Sequence, residues 1–398
     1  MVKLSPEQLG FTPWLISRRE RCLRLTGFAG SGKTTVMEAL SEAWDASHIM
    51  WCAPTHPAKD ILAGKIKGNV LTVDSALGFR PTVINGRSEF KPLGRNKVSD
   101  MCRNARGKTL LVIDESSMLS RAKVTAVIDS KVDQILFVGD PAQIPPVKEI
   151  CSPVYEIDYP TYHLSHIYRQ ETGSIISLAS DIRESGIDTT ARHGIPNDII
   201  TDESLVDFFM TYQNDVSTMI LCPTHAAKEY CNAIARKAFN RSGEGFSLGD
   251  KLFIEATSGA GINAGDMVSI ITDPVLTSYL GFKVYELTVT GGKCMRIPVN
   301  LDERKKVQAR KDALPKLYAE AVNDRDKDDI NVEAKMLDQI TFASSGYAMT
   351  IHASQGSTFD NVLVFVRDLR TAFKDDSIRR RMMYTAVTRA KYKLIIGR

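Results

Sequence analysis

The sequence predicts an α/β protein with two largely parallel sheets, and three observations support this. Short, continuously apolar runs alternate with helical patterns in the first 150 residues and again after about residue 151, which is typical of parallel sheets covered on both faces. A glycine-rich loop directly follows the first of these runs. The turn APTHPAK at 53–59 is echoed by CPTHAAK at 222–228, which suggests two copies of one α/β fold. Chance or shared helix-capping chemistry would also explain a single echo of this length.

The bulk composition predicts an ordinary globular chain. With 398 residues, 43% hydrophobic and 25% charged, roughly two to three domains are expected. The sequence contains no apolar run of membrane-spanning length, so we expect a soluble, cytoplasmic protein. Its seven cysteines are scattered and form no Cys-x-x-Cys pair, which favours reduced packing residues over disulfides or a zinc site.

Positive charge is concentrated in two segments. Residues 80–108 contain eight basic and two acidic residues, and residues 367–398 contain ten basic and three acidic residues, in a chain whose net charge is only +4. Solvated surfaces would explain such runs. A polyanionic partner would explain them as well, and the motifs described below favour that reading.

The first domain is predicted over residues 1–150. Its strands are expected at 22–26, 48–53, 109–113 and 134–138, and its helices are expected to start near Lys33, Thr55 and Ser120. The basic segment 80–108 contains two prolines and two widely spaced glycines before residue 95, and it interrupts the alternation of strands and helices. We therefore interpret it as an inserted hairpin.

The second domain is predicted over residues 151–246 and 341–398. Its helices are expected at 174–184 and 224–240, and its strands at 218–222, 361–366 and 393–396. Between them, glycine-punctuated β segments at 266–272, 283–290 and 293–299 precede a mixed-charge helical stretch at 301–339. This pattern predicts a small β-rich domain over 247–340, inserted into the second domain.

The loop from Gly27 to Thr34 matches the phosphate-binding pattern G-x-x-x-x-G-K-[ST] between a strand and a helix. Backbone N–H groups of such a loop surround the nucleotide phosphates, the lysine neutralises them, and the threonine hydroxyl binds Mg²⁺. The sequence therefore predicts ATP and Mg²⁺ as cofactors. The candidate nucleotide-binding residues of the loop are Gly27, Gly30, Ser31, Gly32, Lys33, Thr34 and Thr35.

Two further apolar runs end in polar groups suited to hydrolysis. Asp114 and Glu115 follow the strand at 109–113. Asp114 would hold Mg²⁺ through water, and Glu115 would deprotonate the attacking water. Gln143 lies three residues after Asp140 at the end of the next strand, where a γ-phosphate sensor is expected. An acidic pair after a strand can also be a simple helix cap, but the phosphate loop favours the catalytic reading.

These motifs resemble, in chain order, those of superfamily 1 helicases of the Dda-like and RecD-like branch, and the resemblance covers nearly the whole chain. Its segments are 4–8, 27–34, 53–61, 114–118, 139–145, 166–170, 347–357 and 384–390. The resemblance implies two tandem RecA-like P-loop domains, with the hairpin inserted in the first and a small SH3-like domain inserted in the second. It also implies an ATP-dependent DNA helicase that moves 5′ to 3′ on single-stranded DNA.

The resemblance further assigns roles to individual residues. Gln8 would pair with the adenine edge, and Tyr168 would stack on the base, although an isolated tyrosine is as often simple packing. Arg169 and Arg389 would reach the γ-phosphate, and Gly356 would link the nucleotide to the strand. The residues that it assigns to nucleic acid are Pro54, Thr55, His56, Thr72, Ser75, Thr224, His225, His352 and Ser354.

Two positions depart from the family pattern. Asp74 stands where relatives of this branch tend to have histidine, and Thr358 stands where many members have a ribose-binding glutamate. The first departure puts one strand contact in doubt. The second suggests relaxed sugar selectivity.

The implied partners are single-stranded and forked DNA, with single-strand-binding or replication proteins as further candidates, for a monomeric enzyme in replication, repair or recombination. A translocase that remodels forks or strips bound proteins without processive unwinding is the nearest alternative. An RNA-directed motor and a P-loop kinase stand behind it. A kinase would not need both Arg169 and Arg389.

Overall fold

The computed structural model describes residues 4–45, 47–84, 87–92, 94–105, 107–146, 149–168, 173–185, 197–198, 201–212, 217–241, 245–256, 259 and 261–397. The chain forms two compact units, the first with residues 1–199, 221–224 and 350–398 and the second with residues 200–220 and 225–349. None of the helices in the described part of the chain has the length and apolar character that a membrane crossing requires.

The secondary structure alternates strands and helices over most of the chain. The strands are β1 (Cys22–Gly27), β2 (Ile49–Ala53), β3 (Val70–Thr72), β4 (Phe79–Ile84), β5 (Arg87–Pro92), β6 (Leu110–Ile113), β7 (Gln134–Gly139), β8 (Thr161–Leu164), β9 (Asn197–Asp198), β10 (Thr218–Cys222), β11 (Lys251–Ile254), β12 (Met267–Ser269), β13 (Val275–Tyr279), β14 (Phe282–Val289), β15 (Lys293–Pro298), β16 (Ala343–Ser345), β17 (Ala348–Thr350), β18 (Phe359–Phe365) and β19 (Ala390–Gly397). The helices are α1 (Pro6–Ser17), α2 (Lys33–Ala43), α3 (His56–Ala63), α4 (Val73–Leu77), α5 (Lys97–Asn104), α6 (Arg121–Ile128), α7 (Gly173–Ser185), α8 (Asp202–Thr211), α9 (His225–Ala238), α10 (Leu301–Glu320), α11 (Asp324–Leu337), α12 (Leu369–Ala372) and α13 (Asp376–Val387).

The first unit is built on a parallel sheet of six strands in the order β3-β2-β6-β7-β1-β8. Both faces of this sheet are covered, as successive residues of its central strands show by belonging to two different buried clusters. Leu110 and Val112 of β6 belong to one buried cluster, and Leu111 and Ile113 belong to the other. Since side chains alternate across a strand, the continuous apolar runs are explained by burial on both sides.

The C-terminal segment contributes a second group of parallel strands to the first unit. Strand β19 pairs with β18 over most of its length and with β9 through Ile396 and Gly397, both in parallel register. The complete sheet has the order β17-β10-β18-β19-β9. The residues of β18 are almost entirely buried, as expected for a central strand of such a sheet.

The second unit contains two small antiparallel sheets and a helical hairpin. The sheets have the orders β12-β11-β16 and β13-β14-β15. One apolar cluster lies around Leu252 and Leu287, and another lies where Val307 and Leu337 of the two long helices pack with Val284. This unit therefore contains the β-rich and helical segments expected between residues 247 and 340. Its SH3-like character stays a prediction.

The predicted strands correspond to β1, β2, β6, β7, β10, β18 and β19, whereas β3, β8, β9 and β17 of the same two sheets were not predicted. Helices α3 and α6 begin directly after Thr55 and Ser120 as expected. The ranges of the compact units differ from the predicted domains, because residues 151–199 and 350–398 group with the first 150 residues. Strand β8 of the first of these segments pairs with β1 in the six-stranded sheet, and Tyr384 and Thr385 of the second hydrogen-bond to the loops after β1 and β7. The domain boundaries themselves stay a prediction.

The basic segment contains an antiparallel hairpin, in which β4 pairs with β5 from Phe79 opposite Pro92 to Ile84 opposite Arg87. Helix α5 follows it within the predicted 80–108 range. A hairpin that separates DNA strands would need an exposed aromatic ring as a wedge, and the sequence offers Phe79 and Phe90 for that role. Phe79 is instead buried in the core beside Leu77 and Val98. Phe79 therefore packs inside the fold and does not act as a wedge.

Candidate active site

The phosphate loop joins β1 to α2 and takes its shape from glycine. Gly32 precedes α2 with φ of 82°, in the left-handed region that glycine adopts without strain. The Lys33 ammonium group donates hydrogen bonds to the carbonyl oxygens of Gly27 at 2.8 Å and Phe28 at 2.9 Å. The loop thus curls around the lysine and holds its charge at the start of the helix, where the helix dipole also favours anions.

Gln8 packs against the phosphate loop through its side-chain amide. Its Nε2 donates to the Ser31 carbonyl at 3.3 Å, and its Oε1 accepts from Ser5 N at 3.0 Å. Gln8 N in turn donates to Ser5 Oγ, which completes a capping box at the start of α1. Gln8 is buried and is engaged at both ends of its amide, so pairing with adenine would require it to exchange these bonds. The adenine-reading role stays a prediction.

The two acids at the end of β6 are held in different ways. Glu115 N donates to Asp114 Oδ1 at 2.9 Å. Burial, followed by the charge of Glu115, raises the pKa of Asp114 to about 7. The Lys33 charge opposes that rise, as a divalent cation bound there also would. Glu115 itself has φ of 48°, a left-handed backbone that is uncommon for a residue with a side chain.

A cleft of about 390 Å³ brings most of the predicted nucleotide residues together. The predicted residues that line it are Gly30, Gly32, Lys33, Thr34, Thr35, Asp114, Glu115, Gln143, Tyr168, Gly356 and Arg389. Gly27, Ser31 and Gln8 lie behind its surface rather than on it. Lys65 and Thr388 also line the cleft. Thr388 lies within the 384–390 segment of the family resemblance, whereas sequence reasoning missed Lys65, because no motif marks a lone lysine after α3.

Three buried side-chain oxygens around this cleft lack a hydrogen-bond partner among the described residues. They are Ser31 Oγ, Glu115 Oε2 and Gln143 Oε1. Buried polar atoms in folded proteins are nearly always satisfied, so each exception indicates an external partner or a functional requirement. The glutamate and glutamine oxygens on the cleft wall fit a nucleotide, a hydrated cation or an attacking water.

Arg389 reaches the cleft from the C-terminal segment. Its guanidinium donates to the carbonyl oxygens of Thr385 and Ser357 and to Thr388 Oγ1, each at 3.1 Å. Burial lowers the pKa of Arg389, while the negative charge of Glu115 opposes the shift. The arginine is thus fixed in direction before any ligand binds, and it lies within electrostatic reach of the candidate base.

Tyr168 lines the same cleft, with its backbone N donating to the Gly30 carbonyl at 3.0 Å and its ring 4.5 Å from that of His166. More than a third of Tyr168 is exposed, which leaves ring surface for stacking. Gly356 has φ of 80°, and an added Cβ would meet Ala58 Cβ at 2.7 Å. Arg169, the other predicted arginine finger, lies outside the described residues.

A buried network that the motifs did not reveal connects the cleft loops to α13. The Tyr384 hydroxyl donates to Asp140 Oδ2 at 2.5 Å and accepts from Ala29 N of the phosphate loop at 3.3 Å. Ile144 N donates to Thr385 Oγ1, and its carbonyl accepts from Gln355 Nε2, both at 3.1 Å. The loop that carries Gln143 is therefore tied to the same helix and turn that position Arg389.

The predicted strand-binding residues lie in several kinds of environment. Thr55 caps α3 by accepting from Ala58 N at 3.3 Å, with Pro54 before it and His56 opening the helix. Thr224 and His225 stand at the start of α9, and His225 is exposed. Their equivalent positions at helix N-termini support the echo between the two turns. His352 is half-buried in the turn after β17.

Three other hydroxyls of this set, those of Thr72, Ser75 and Ser354, already form hydrogen bonds inside the fold. Thr72 is buried, caps α4 and donates to Ser75 Oγ at 2.8 Å. Ser354 has no exposed surface and donates to the Ile351 carbonyl at 2.8 Å. A strand contact at Thr72, Ser75 or Ser354 would need these bonds to rearrange. Asp74, the departure from the family pattern, forms an ion pair with Lys123 at 2.9 Å.

Two family models match this chain. Residues 3–199 match an AAA domain, and residues 345–396 match a UvrD-like helicase C-terminal domain. The second match contains Gly356 and Arg389. Together the two matches cover both groups of residues that meet at the cleft.

Curated relatives match over different shares of their own length. An uncharacterised protein of Acanthamoeba polyphaga mimivirus is 26% identical over 93% of this chain and 94% of its own length. The conjugal transfer protein TraA of Agrobacterium fabrum is 26% identical over 94% of this chain but only 30% of its own length. The ATP-dependent RecD2 DNA helicase of Deinococcus radiodurans is 29% identical over 44% of this chain and 23% of its own length.

Solved structures of Pif1 helicases share the fold. A Pif1 structure described as unwinding forked duplex DNA has a TM-score of 0.60 and 16% identity, and it matches 100% of this chain and 92% of its own. Pif1 from Bacteroides, in complex with ADP-AlF3 and single-stranded DNA, has a TM-score of 0.58 and 20% identity with the same coverage. The predicted pair of RecA-like domains agrees with this likeness.

Proposed function

We propose, because this chain belongs to the superfamily 1 helicases of the Pif1/RecD-like branch, that it couples ATP hydrolysis to movement along single-stranded DNA and to strand separation, from 5′ to 3′. The observation that carries this proposal is the convergence of four groups on one cleft. Lys33, Glu115 and Gln143 come from loops of the six-stranded sheet, and Arg389 comes from the C-terminal segment.

The roles of these groups follow from their chemistry. Lys33 neutralises the β- and γ-phosphates, and Arg389 stabilises charge that develops on the γ-phosphate during transfer. Glu115, whose buried Oε2 lacks a partner among the described residues, accepts a proton from the attacking water. Gln143 orients that water by accepting a hydrogen bond from it through its own unpartnered Oε1. Arg169 would be a second arginine finger.

The oxygen donors of Thr34 and Asp114 suit a Mg²⁺ ion. Thr34 would supply a hydroxyl, and Asp114 would supply a carboxylate through water, which are the hard oxygen donors that Mg²⁺ prefers. When bound, the cation would neutralise charge between the β- and γ-phosphates. The raised pKa of Asp114 is consistent with a carboxylate that gains a cationic partner on binding.

The coupling of hydrolysis to movement is proposed from the network around Tyr384. Asp140 and Ala29 flank the nucleotide loops, and Tyr384 hydrogen-bonds to both. Any change in these loops on hydrolysis is therefore transmitted to α13. Thr55 and Thr224, each placed at a helix N-terminus, would hold the backbone phosphates of one strand. The DNA in the solved Pif1 complexes supports DNA as the substrate.

We expect single-stranded DNA to stimulate ATP hydrolysis strongly, and duplex DNA only weakly, because the two threonine turns would hold one backbone. The stimulated activity should require more DNA as salt rises, since the logarithm of the affinity falls by about 0.7 per neutralised phosphate for each unit of log salt. The measurement is steady-state hydrolysis with no nucleic acid, single-stranded DNA, duplex DNA and RNA side by side. Equal stimulation by RNA would favour the RNA-directed alternative, and no stimulation at low salt would contradict the proposal.

Polarity can be tested on duplexes that carry a single tail. Movement from 5′ to 3′ predicts unwinding from a 5′ tail and not from a 3′ tail, measured under single-turnover conditions with a trap strand. Unwinding only from the 3′ tail would overturn the branch assignment of polarity. Rapid ATP hydrolysis and displacement of a bound protein block, without unwinding from either tail, would identify the translocase alternative instead.

We propose the hairpin of β4 and β5 as the element that separates the strands. Because Arg80 lies opposite Lys91 in the register, residues 81–90 can be replaced by Asn-Gly, the usual two-residue turn between paired positions. This design keeps Asn96 unchanged, so the N-terminal cap of α5, in which Asn96 Oδ1 accepts from Ser99 N at 3.0 Å, is preserved. We expect DNA-stimulated ATP hydrolysis to persist and unwinding of a tailed duplex to fall. Normal unwinding by this variant would exclude the hairpin from strand separation.

A further inference from the structure

A second cavity of about 400 Å³ lies beside the nucleotide cleft in the first unit. One wall is the turn of Pro141 and Ala142, directly after Asp140, together with Arg183 of α7. We call this space the arginine cavity. It shares no residue with the lining of the nucleotide cleft, although Tyr384 connects it to the cleft loops.

The opposite wall is a single face of α13. Ser377, Arg380, Arg381 and Tyr384 line the cavity, and their spacing of three, four and seven residues places them on one side of a helix. Two guanidinium groups are therefore presented next to each other, with a hydroxyl one turn before them and the buried tyrosine one turn after them.

The arginine cavity carries more positive than negative charge. Arg183 lies 3.4 Å from Asp140 Oδ1 and packs over the Phe28 ring at 4.2 Å. Asp140 is fully buried, and its two oxygens also accept from Tyr384 and from Ala142 N. By contrast, Arg380 and Arg381 are half-buried and have no ion pair or hydrogen bond in the part of the chain that the structure describes. Three arginines thus face one carboxylate that is already satisfied.

We propose that the arginine cavity is a second phosphate-binding site, in which Arg380 and Arg381 grip a phosphate group and Ser377 donates a further hydrogen bond. Planar guanidinium groups match phosphate oxygens with paired hydrogen bonds, which is the arrangement that arginine supplies better than lysine. The cavity volume is within the range of small-ligand pockets. The phosphate belongs either to a free phosphate or nucleotide or to a DNA backbone, and the binding chemistry is the same.

Occupancy of this site would be communicated to the nucleotide loops. Tyr384 forms part of the cavity wall, and its hydroxyl contacts both Asp140 and the Ala29 amide. Asp140 in turn is hydrogen-bonded to Arg183, the third arginine of the cavity. A bound phosphate would compete with Asp140 for Arg183 and would thereby alter the loop that carries Gln143.

The direct test measures binding of inorganic phosphate while the phosphate loop is saturated with a non-hydrolysable ATP analogue. Thermal unfolding of the full chain is compared in phosphate and in chloride at equal ionic strength, and calorimetric titration gives the affinity. The variant is R380Q/R381Q. Its matched control, R370Q/K374Q, removes the same charge from exposed positions of the same basic segment. Melting in chloride verifies that both variants fold.

We expect phosphate to stabilise the wild type and the control, and to bind R380Q/R381Q weaker by about tenfold or more per arginine, as loss of a charge-assisted hydrogen bond predicts. R380K/R381K should recover only part of the affinity, because it restores charge without the planar fork. Phosphate stabilisation that is absent in the wild type, or equal in R380Q/R381Q and the control, would overturn the proposal.

Affinity for single-stranded DNA then separates the two sources of phosphate. If a DNA backbone occupies the site, R380Q/R381Q should also reduce the slope of log affinity against log salt by about 0.7 per lost phosphate contact relative to the control. If a free phosphate or nucleotide occupies it, DNA binding should match the control. Neither arm measures ATP hydrolysis or unwinding, so failure of this proposal is distinguishable from failure of the proposed helicase function.

Discussion

Replacing Glu115 by Gln is expected to lower ATP turnover by about 10² to 10⁴-fold, the contribution of a general base, with nucleotide affinity nearly unchanged. Glu115 lines the cleft, and its Oε2 is buried without a partner among the described residues. An amide in its place cannot accept the proton. The measurement combines steady-state hydrolysis, in the presence of single-stranded DNA, with equilibrium binding of a fluorescent ATP analogue.

Lys33→Ala is the contrasting variant. It removes the charge that neutralises the phosphates, so turnover should be lost together with nucleotide affinity. Glu115→Gln with near-normal turnover would show that another group is the base. Lys33→Ala with normal affinity would place the phosphates away from the loop.

Arg389→Ala is expected to lower ATP turnover by about 10³-fold or more, as loss of an arginine finger does, while nucleotide affinity changes by a modest factor. The structure holds the guanidinium by three hydrogen bonds on the cleft wall, so its position does not depend on the ligand. Single-turnover hydrolysis with saturating DNA measures the effect on the chemical step.

Because Arg389 is buried, its loss also removes a donor from the Ser357 and Thr385 carbonyls, although Thr385 O still accepts from Thr388 Oγ1 at 2.8 Å. The variant therefore needs a second probe. Arg389→Lys keeps the charge in the core but loses the planar fork, and it should also be strongly impaired. Arg370→Ala, an exposed arginine of the same segment, serves as the control for charge. Normal hydrolysis by a folded Arg389→Ala protein would exclude the residue from catalysis.

The residues that the sequence predicted best are those whose geometry is local. Gly32, Lys33 and Thr34 occupy one strand-to-helix turn, so their relation to a phosphate follows from the chain itself. The bond between Tyr384 and Asp140 joins residues 244 positions apart. It depends on how α13 packs against the loop after β7, and no local pattern contains that information.

The sequence around Gln8 fits two roles, a helix cap and a contact with adenine. Ser5 and Gln8 fit the capping-box spacing in which the side chain three residues on reaches back to the cap, and the structure contains that box. The resemblance to the helicase family assigns the same side chain to the adenine edge. The cap uses Gln8 Oε1, whereas Nε2 bonds to the Ser31 carbonyl. A structure of the nucleotide complex would show whether the amide exchanges these bonds for bonds to adenine.

The left-handed backbone of Glu115, with φ of 48°, has a consequence for attempts to make this enzyme more durable. A side chain in that conformation costs free energy that glycine would not incur, so Glu115→Gly should raise the melting temperature while removing the base. Selection for thermal stability would favour glycine at position 115, whereas selection for ATP hydrolysis would favour glutamate. Durability and catalysis are therefore in direct competition at a single peptide unit of the chain.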